Sequence, residues 1–272
     1  MEDNIQNIKK EYKNDGNLRQ RVYISFLLVC IALVAVTAAT VAWFSIADKV
    51  RVQTMGLDIV TDVELKMDLD PHDTIDDYVK TLTFDDIAKR MQKDKGYSMK
   101  ETPLEPVTTS DYNIFTYEDG TKVEENSGSY LSFTLNFMAE RDMIVHLTSA
   151  DSSSNADDGT AVSSKVPSLP KAMRISFETD DTVWVYNPGG TDSLNKSHGG
   201  SVRTFGLPAA DSMKLSDTNS LFSLKKGVNK AVQVHVWLEG TDPACTDDLQ
   251  AADYSIKLRF AGTDMSGQPF SQ

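Results

Sequence analysis

Four histidines (His72, His146, His198, His235), two cysteines and two clusters of carboxylates are the chemistry-bearing residues of this 272-residue chain. No pair of histidines has the H-E-x-x-H spacing that puts two zinc ligands on one helix face, so a zincin site is absent. No G-x-S-x-G elbow, P-loop or dinucleotide fingerprint occurs either. His146 and His235 fall at strand positions opposite the apolar residues and read as surface or inter-strand residues, while His198 sits among loop glycines. Calcium needs several oxygens converging on one point. Two acidic runs offer them: Asp68, Asp70, Asp73, Asp76 and Asp77, and, as the better candidate, Glu239, Asp242, Asp247 and Asp248. Neither has EF-hand spacing. The first reads equally as acids at a helix start, the second as a solvated turn between strands. No cofactor, catalytic residue or enzymatic activity is expected from these patterns.

The elements that carry these residues are mainly strands. Period-2 alternation puts Val63, Leu65, Met67 and Leu69 on one face of Thr61–Leu69. The same pattern gives Leu131, Phe133, Leu135 and Phe137 in Ser129–Phe137, and Met173, Ile175 and Phe177 in Lys171–Glu178 with Arg174 and Ser176 outward. It recurs as Val232, Val234, Val236 and Leu238 in Ala231–Glu239, and as Tyr254, Ile256, Leu258 and Phe260 in Tyr254–Phe260, with Lys257 and Arg259 outward. Weaker strands are expected at Lys49–Ile59, Asp142–Thr148 and Thr182–Tyr186. One-sided burial in so many strands predicts an antiparallel β-sandwich, and the irregular spacing predicts jelly-roll-like connections. Residues 73–95 break the pattern: Ile75, Tyr78, Val79 and Leu82, then Phe84, Ile87 and Met91, have helical spacing. Thr74/Asp77 and Thr83/Asp86 are placed to cap two short helices. Residues 150–164, 187–201 and 262–272 read as exposed loops and a frayed tail.

Ahead of the strands lies an uncharged run, Val22–Phe44, preceded by Lys9, Lys10, Lys13, Arg19 and Arg21. Roughly 20 apolar residues cross a bilayer as a helix, and the basic flank favours a cytoplasmic N-terminus. The expected organisation is a basic tail or signal n-region (1–21), a signal-anchor or cleavable signal peptide (22–44) and an extracellular β domain (45–272). Anchored and secreted forms both remain open. The formal charge of −13 argues against nucleic-acid partners, which need a basic face. Cys30 lies in the apolar run and Cys245 in the exported domain, so they cannot pair within one folded chain. Cys245 reads as a buried small hydrophobe or a reactive thiol. Type IV pilin cleavage logic is missing, since Gly16 is followed by Asn-Leu-Arg-Gln-Arg, and no L-P-x-T-G wall-sorting signal appears.

The junction Thr40-Val41-Ala42-Trp43-Phe44-Ser45 resembles the T-x-A-aromatic-Phe-polar leader ends of the TasA/camelysin family of Gram-positive surface and matrix proteins. A second stretch, Val234–Asp248, resembles a late-strand motif of Gram-positive surface proteins of similar build. The family resemblance implies cleavage after Ala42 by a SipW-type peptidase, leaving Trp43 first. It also implies a jelly-roll domain that polymerises by lending an N-terminal strand to a neighbour. In this chain the donor would be Trp43 to about Ile59, with Val50, Val52, Leu57 and Ile59 alternating. Some members are metallopeptidases, and no metal-site motif here matches that. The function expected is a non-enzymatic surface or biofilm-matrix subunit that self-associates or binds other matrix proteins. The alternative is a membrane-anchored binding module, an adhesin or carbohydrate binder; Trp184 and Tyr186 share one strand face and read as sandwich core or, in that alternative, as a sugar-stacking platform.

Overall fold

The structure, a computed structural model, describes residues 22–32, 51–59, 65–149, 159–179, 182–190, 195–198, 202–207, 215, 219–249 and 252–270; for 51–59, 195–198, 202 and 203 it gives the backbone path. The chain divides into two compact units, Met1–Ala47 and Asp48–Gln272.

Of the first unit only a helix at residues 22–32, α1, is described. It covers the front of the uncharged run, whose remainder lies outside the described residues. Among the described residues no helix is long and apolar enough to cross a membrane.

The second unit is mainly β, as the alternation predicts. Its smaller sheet orders β13 (Ser220–Leu224), β7 (Met143–Leu147), β15 (Asp253–Thr263), β1 (Arg51–Ile59) and β3 (Thr81–Leu82), with β8 (Ala161–Ser164) also on β15. The larger orders β11 (Asn195–His198), β12 (Val202–Phe205), β10 (Val183–Tyr186), β9 (Met173–Glu178) and β14 (Lys230–Glu239). Beyond β14 it continues along β6 (Leu131–Ala139) to β2 (Leu65–Asp68), and past the end of β6 to β4 (Pro106–Thr109) and β5 (Phe115–Thr116). Most neighbours are antiparallel. Among the described residues three pairs are parallel, β1 with β15, β4 with β14 and β10 with β12, so the sheets are mixed. Alternation reports which face is apolar but not strand direction.

One core draws on both sheets. Leu131, Phe133, Leu135 and Phe137 of β6 and Val232, Val234, Val236 and Leu238 of β14 meet Tyr254, Ile256, Leu258 and Phe260 of β15. Phe137 lies edge-on to Phe260 with centroids 5.1 Å apart, and Phe177 does so at 5.8 Å. Trp184 and Tyr186 are buried in this same core, at 3% and 5% exposure, so they present no stacking platform to solvent.

The expected pair of short helices becomes a turn and one helix. Ile75–Asp77 is a single 3-10 turn, and Thr74 makes no side-chain cap to its backbone. The chain then enters β3, whose Leu82 pairs with Leu57 of β1; sheet pairing here overrides the helical spacing. The helix, α2 (Phe84–Lys95), starts from a complete capping box between Thr83 and Asp86 and ends at Gly96, whose φ of 81° is the left-handed cap geometry. Its Ile87 and Met91 are buried in the core.

The loops also carry more order than their composition suggests. β8 and β11 lie within the two polar stretches. The C-terminal tail turns back so that Thr263 bridges Pro269, and the Phe270 ring lies 5.0 Å from the Arg141 guanidinium. A short helix, α3 (Leu169–Ala172), precedes β9.

Candidate functional site

The structure gives the four acids of the second cluster separate duties. Glu239 accepts from Trp237 Nε1 at 3.0 Å and from Thr241 Oγ1 at 2.7 Å. Asp242 pairs with Arg174 and accepts from the Ala244 amide at 2.8 Å. Asp248 accepts from Ser168 Oγ at 2.7 Å and from Thr246, and Asp247 opens a 3-10 turn. Among the described residues no group of three or more His, Cys, Asp or Glu side chains is arranged to hold a metal ion. The first cluster is divided in the same way: Asp70 pairs with Arg90, and Asp68 accepts the Asp70 amide at 3.0 Å. These carboxylates staple turns to strands, with Arg174 the central cation. Its guanidinium also donates to the carbonyls of Lys171 and Met173 and to Asn187 Oδ1, at 2.6, 2.8 and 3.2 Å.

The larger sheet is covered on both faces, which corrects the one-sided pattern. A segment from Glu105 to Ser129, carrying β4 and β5, folds over its outer face. Beneath it Val107, Phe115, Val123 and Tyr130 pack on Val183, Val185 and Trp237 in a second apolar cluster. This is why His235, outward by alternation, is not on the surface; Arg174, also outward, is partly buried among Asp242, Asn187 and the Lys171 and Met173 carbonyls. His235 is 5% exposed, roofed by Phe115 (centroids 5.4 Å apart) and Tyr130 (5.9 Å). His146 is 1% exposed, between Asn219 Oδ1 at 3.2 Å and Thr263 Oγ1 at 2.9 Å. Arg259, likewise outward by alternation, is 2% exposed, because the chain at Thr148 and Thr160 bonds to its backbone.

Under the segment the sheet presents a polar row. Ser176 of β9 and Ser132 of β6 lie across from His235 in β14. Glu178 Oε2 is 4.0 Å from His235 Nε2, whereas His235 Nδ1 and Ser176 Oγ are buried with no hydrogen-bond partner. Burial holds the imidazole down to about 4; the Glu125 carboxylate opposes this and Lys95 adds to it. Burial raises the Glu178 carboxyl, Asn113 lowers it, and Asp111 raises it. Farther along β14, Thr134 Oγ1 donates to Gln233 Oε1 at 2.8 Å, and Gln233 Nε2 to Ser132 Oγ at 3.0 Å. These three line a cleft of about 180 Å³ with Arg90, Asp94 and Lys95 of α2. Period-2 spacing marks every member of the row as outward. The roof that buries His235, Ser132 and Ser176 has no periodic signal of its own.

Thr40, Ala42, Trp43 and Val50 lie outside the described residues. Val52, Leu57 and Ile59 belong to β1, which pairs within its own chain: Val52 with Tyr254, Leu57 with Leu258 and Ile59 with Phe260, in parallel. Cys245 is partly buried against the core, and burial, with Asp242 and Glu239 nearby, pushes its thiol up to about 11, so it stays protonated at neutral pH. His198 is in β11.

No protein-family model matches the sequence, and no curated protein or solved structure matches it.

Proposed function

We propose that this protein is an exported cell-surface or matrix subunit whose domain is a jelly-roll-like β-sandwich and which assembles by strand addition. The observation that carries the reading is the place of β1. The strand that follows the apolar run lies inside the smaller sheet, between β15 and β3. Lending it to another copy would open a slot bordered on both sides by unpaired backbone, and such a slot is filled most readily by an equivalent strand. A contact of that kind repeats head to tail and gives filaments. The basic flank, the apolar run and the Thr40–Ser45 junction support export with cleavage after Ala42; in the anchored form β1 stays with its own domain.

The test is the N-terminal mass of the protein from its native host, paired with electron microscopy of purified chains. A mature chain beginning at Trp43 that forms filaments, with none formed by a chain lacking residues 43–59, is the expected result. An intact, membrane-bound, monomeric chain overturns it. The polar cleft between α2 and β6 supports a second reading, an anchored binding module. A ligand-dependent rise in melting temperature that Gln233→Ala abolishes would favour that one.

A further inference from the structure

The roof over His235 is held to the sheet by little backbone. β4 meets β14 only at Leu238–Pro106 and Glu239–Val107, supplemented by the Gly240 amide to the Val107 carbonyl at 2.9 Å. The two ends of the segment are tied to each other by the Glu105 amide, which donates to the Ser129 carbonyl at 3.1 Å. Between these ties side chains do the holding: Phe115 stacks on Tyr130 at 4.1 Å and lies edge-on to Trp237 at 5.4 Å, with His235 beneath both Phe115 and Tyr130, while Glu125 pairs with Lys95 of α2 and Asn113 bonds to Glu178 of β9. A charge on the imidazole would therefore arise inside the cluster that fastens the roof.

The groups around that imidazole come from four elements. Glu178 reaches it from β9, Glu125 and Tyr130 from the chain entering β6, Lys95 from α2 and Phe115 from β5. Glu125 is already engaged by Lys95. Asn113 and Asp111 act on Glu178 rather than on the ring. An imidazolium carries two N–H donors. Glu178, at 4.0 Å, could draw in to take one, but nothing accepts at Nδ1. A buried charged donor without an acceptor is costly, and water reaches this one only when the roof lifts.

We propose that Glu105–Ser129 is an acid-released flap: protonation of His235 lifts it from the larger sheet and uncovers Trp237 and the polar row, while the main core stays folded. As pH falls toward 4 the protein then displays an aromatic surface that it hides at neutral pH. This does not depend on the assembly reading.

Amide hydrogen exchange of the full chain at pH 7 and pH 4.5, corrected for intrinsic rates, tests the proposal. Amides of residues 106–128 should lose at least tenfold in protection on acidification, while those of β6, β9 and β14 keep theirs. His235→Gln should keep the flap protected at both pH values, and His235→Phe serves if the glutamine variant does not fold. Unchanged flap protection in the wild type, equal loss across the whole domain, or the same acid response in the folded variant overturns it.

Discussion

His235 and Arg174 sit at positions the chain would ordinarily give to solvent, and each has consequences that can be measured. For His235 the folded value of about 4 lies below the ordinary 6.5. The folded state thus binds fewer protons than the unfolded one, so stability is full above pH 6.5 and drains away as pH falls toward 4. His235→Gln should flatten this dependence. The difference in unfolding free energy between pH 7 and pH 4 should shrink by up to about 3 kcal/mol, less the part already released when the flap lifts, read from denaturant melts at the two pH values. Arg174 gathers Asp242, Asn187 and two carbonyls while only 13% of its side chain is exposed. Arg174→Ala leaves Asp242 without its cation and should cost about 2 kcal/mol, with the 240–248 turn loosening first in hydrogen exchange. Both residue types were visible in the sequence as outward positions. Their burial was not: for His235 it depends on a roof some 105 to 130 positions earlier in the chain, and for Arg174 on Asp242 and Asn187, which other strands and turns bring to it.

At the scale of elements, legibility followed length and contrast. The long, cleanly alternating strands β6, β9, β14 and β15 are where the pattern puts them. β8, β11, β12 and β13 are short and partly polar (AVSS, NKSH, VRTF, SLFSL), and only their neighbours make them strands. The 73–95 insertion divides by the same logic. Thr83 closes a reciprocal box that the local sequence specifies, whereas Thr74 faces a chain already committed to the β1 edge. Thr83→Ala should therefore cost about 1 kcal/mol, seen as a lower melting temperature with little change elsewhere. Thr74→Ala should be close to neutral by the same measurement. Gly128, at the end of the flap, has φ of 80°, and a Cβ there would run into the Thr102 side chain. Gly128→Ala should destabilise the domain by roughly 1–3 kcal/mol and speed exchange in residues 105–129 most.

For the whole molecule the decisive strand is β1. It supplies β15 with a long parallel partner and β3 with its place in the sheet. A chain lacking residues 43–59 should be strongly destabilised and prone to associate. A synthetic peptide of those residues should restore a cooperative melt when added in trans, and a scrambled peptide should not. Rescue, followed by calorimetry, would show that the slot accepts a strand from outside the chain. Failure would mean that β1 belongs to its own domain alone. A strand through Val52, Leu57 and Ile59 was legible from alternation, but its parallel, internal placement was not, because pairing partners are chosen across the full length of the chain.

That pairing also sets a clock. Leu57 waits for Leu258, a separation of about 200 residues. At synthesis rates of 5–20 residues per second, roughly 10–40 s pass before β1 finds its partner. Through that interval the smaller sheet lacks its seam. Completion falls to β15, so the domain closes only when nearly all of it has been made.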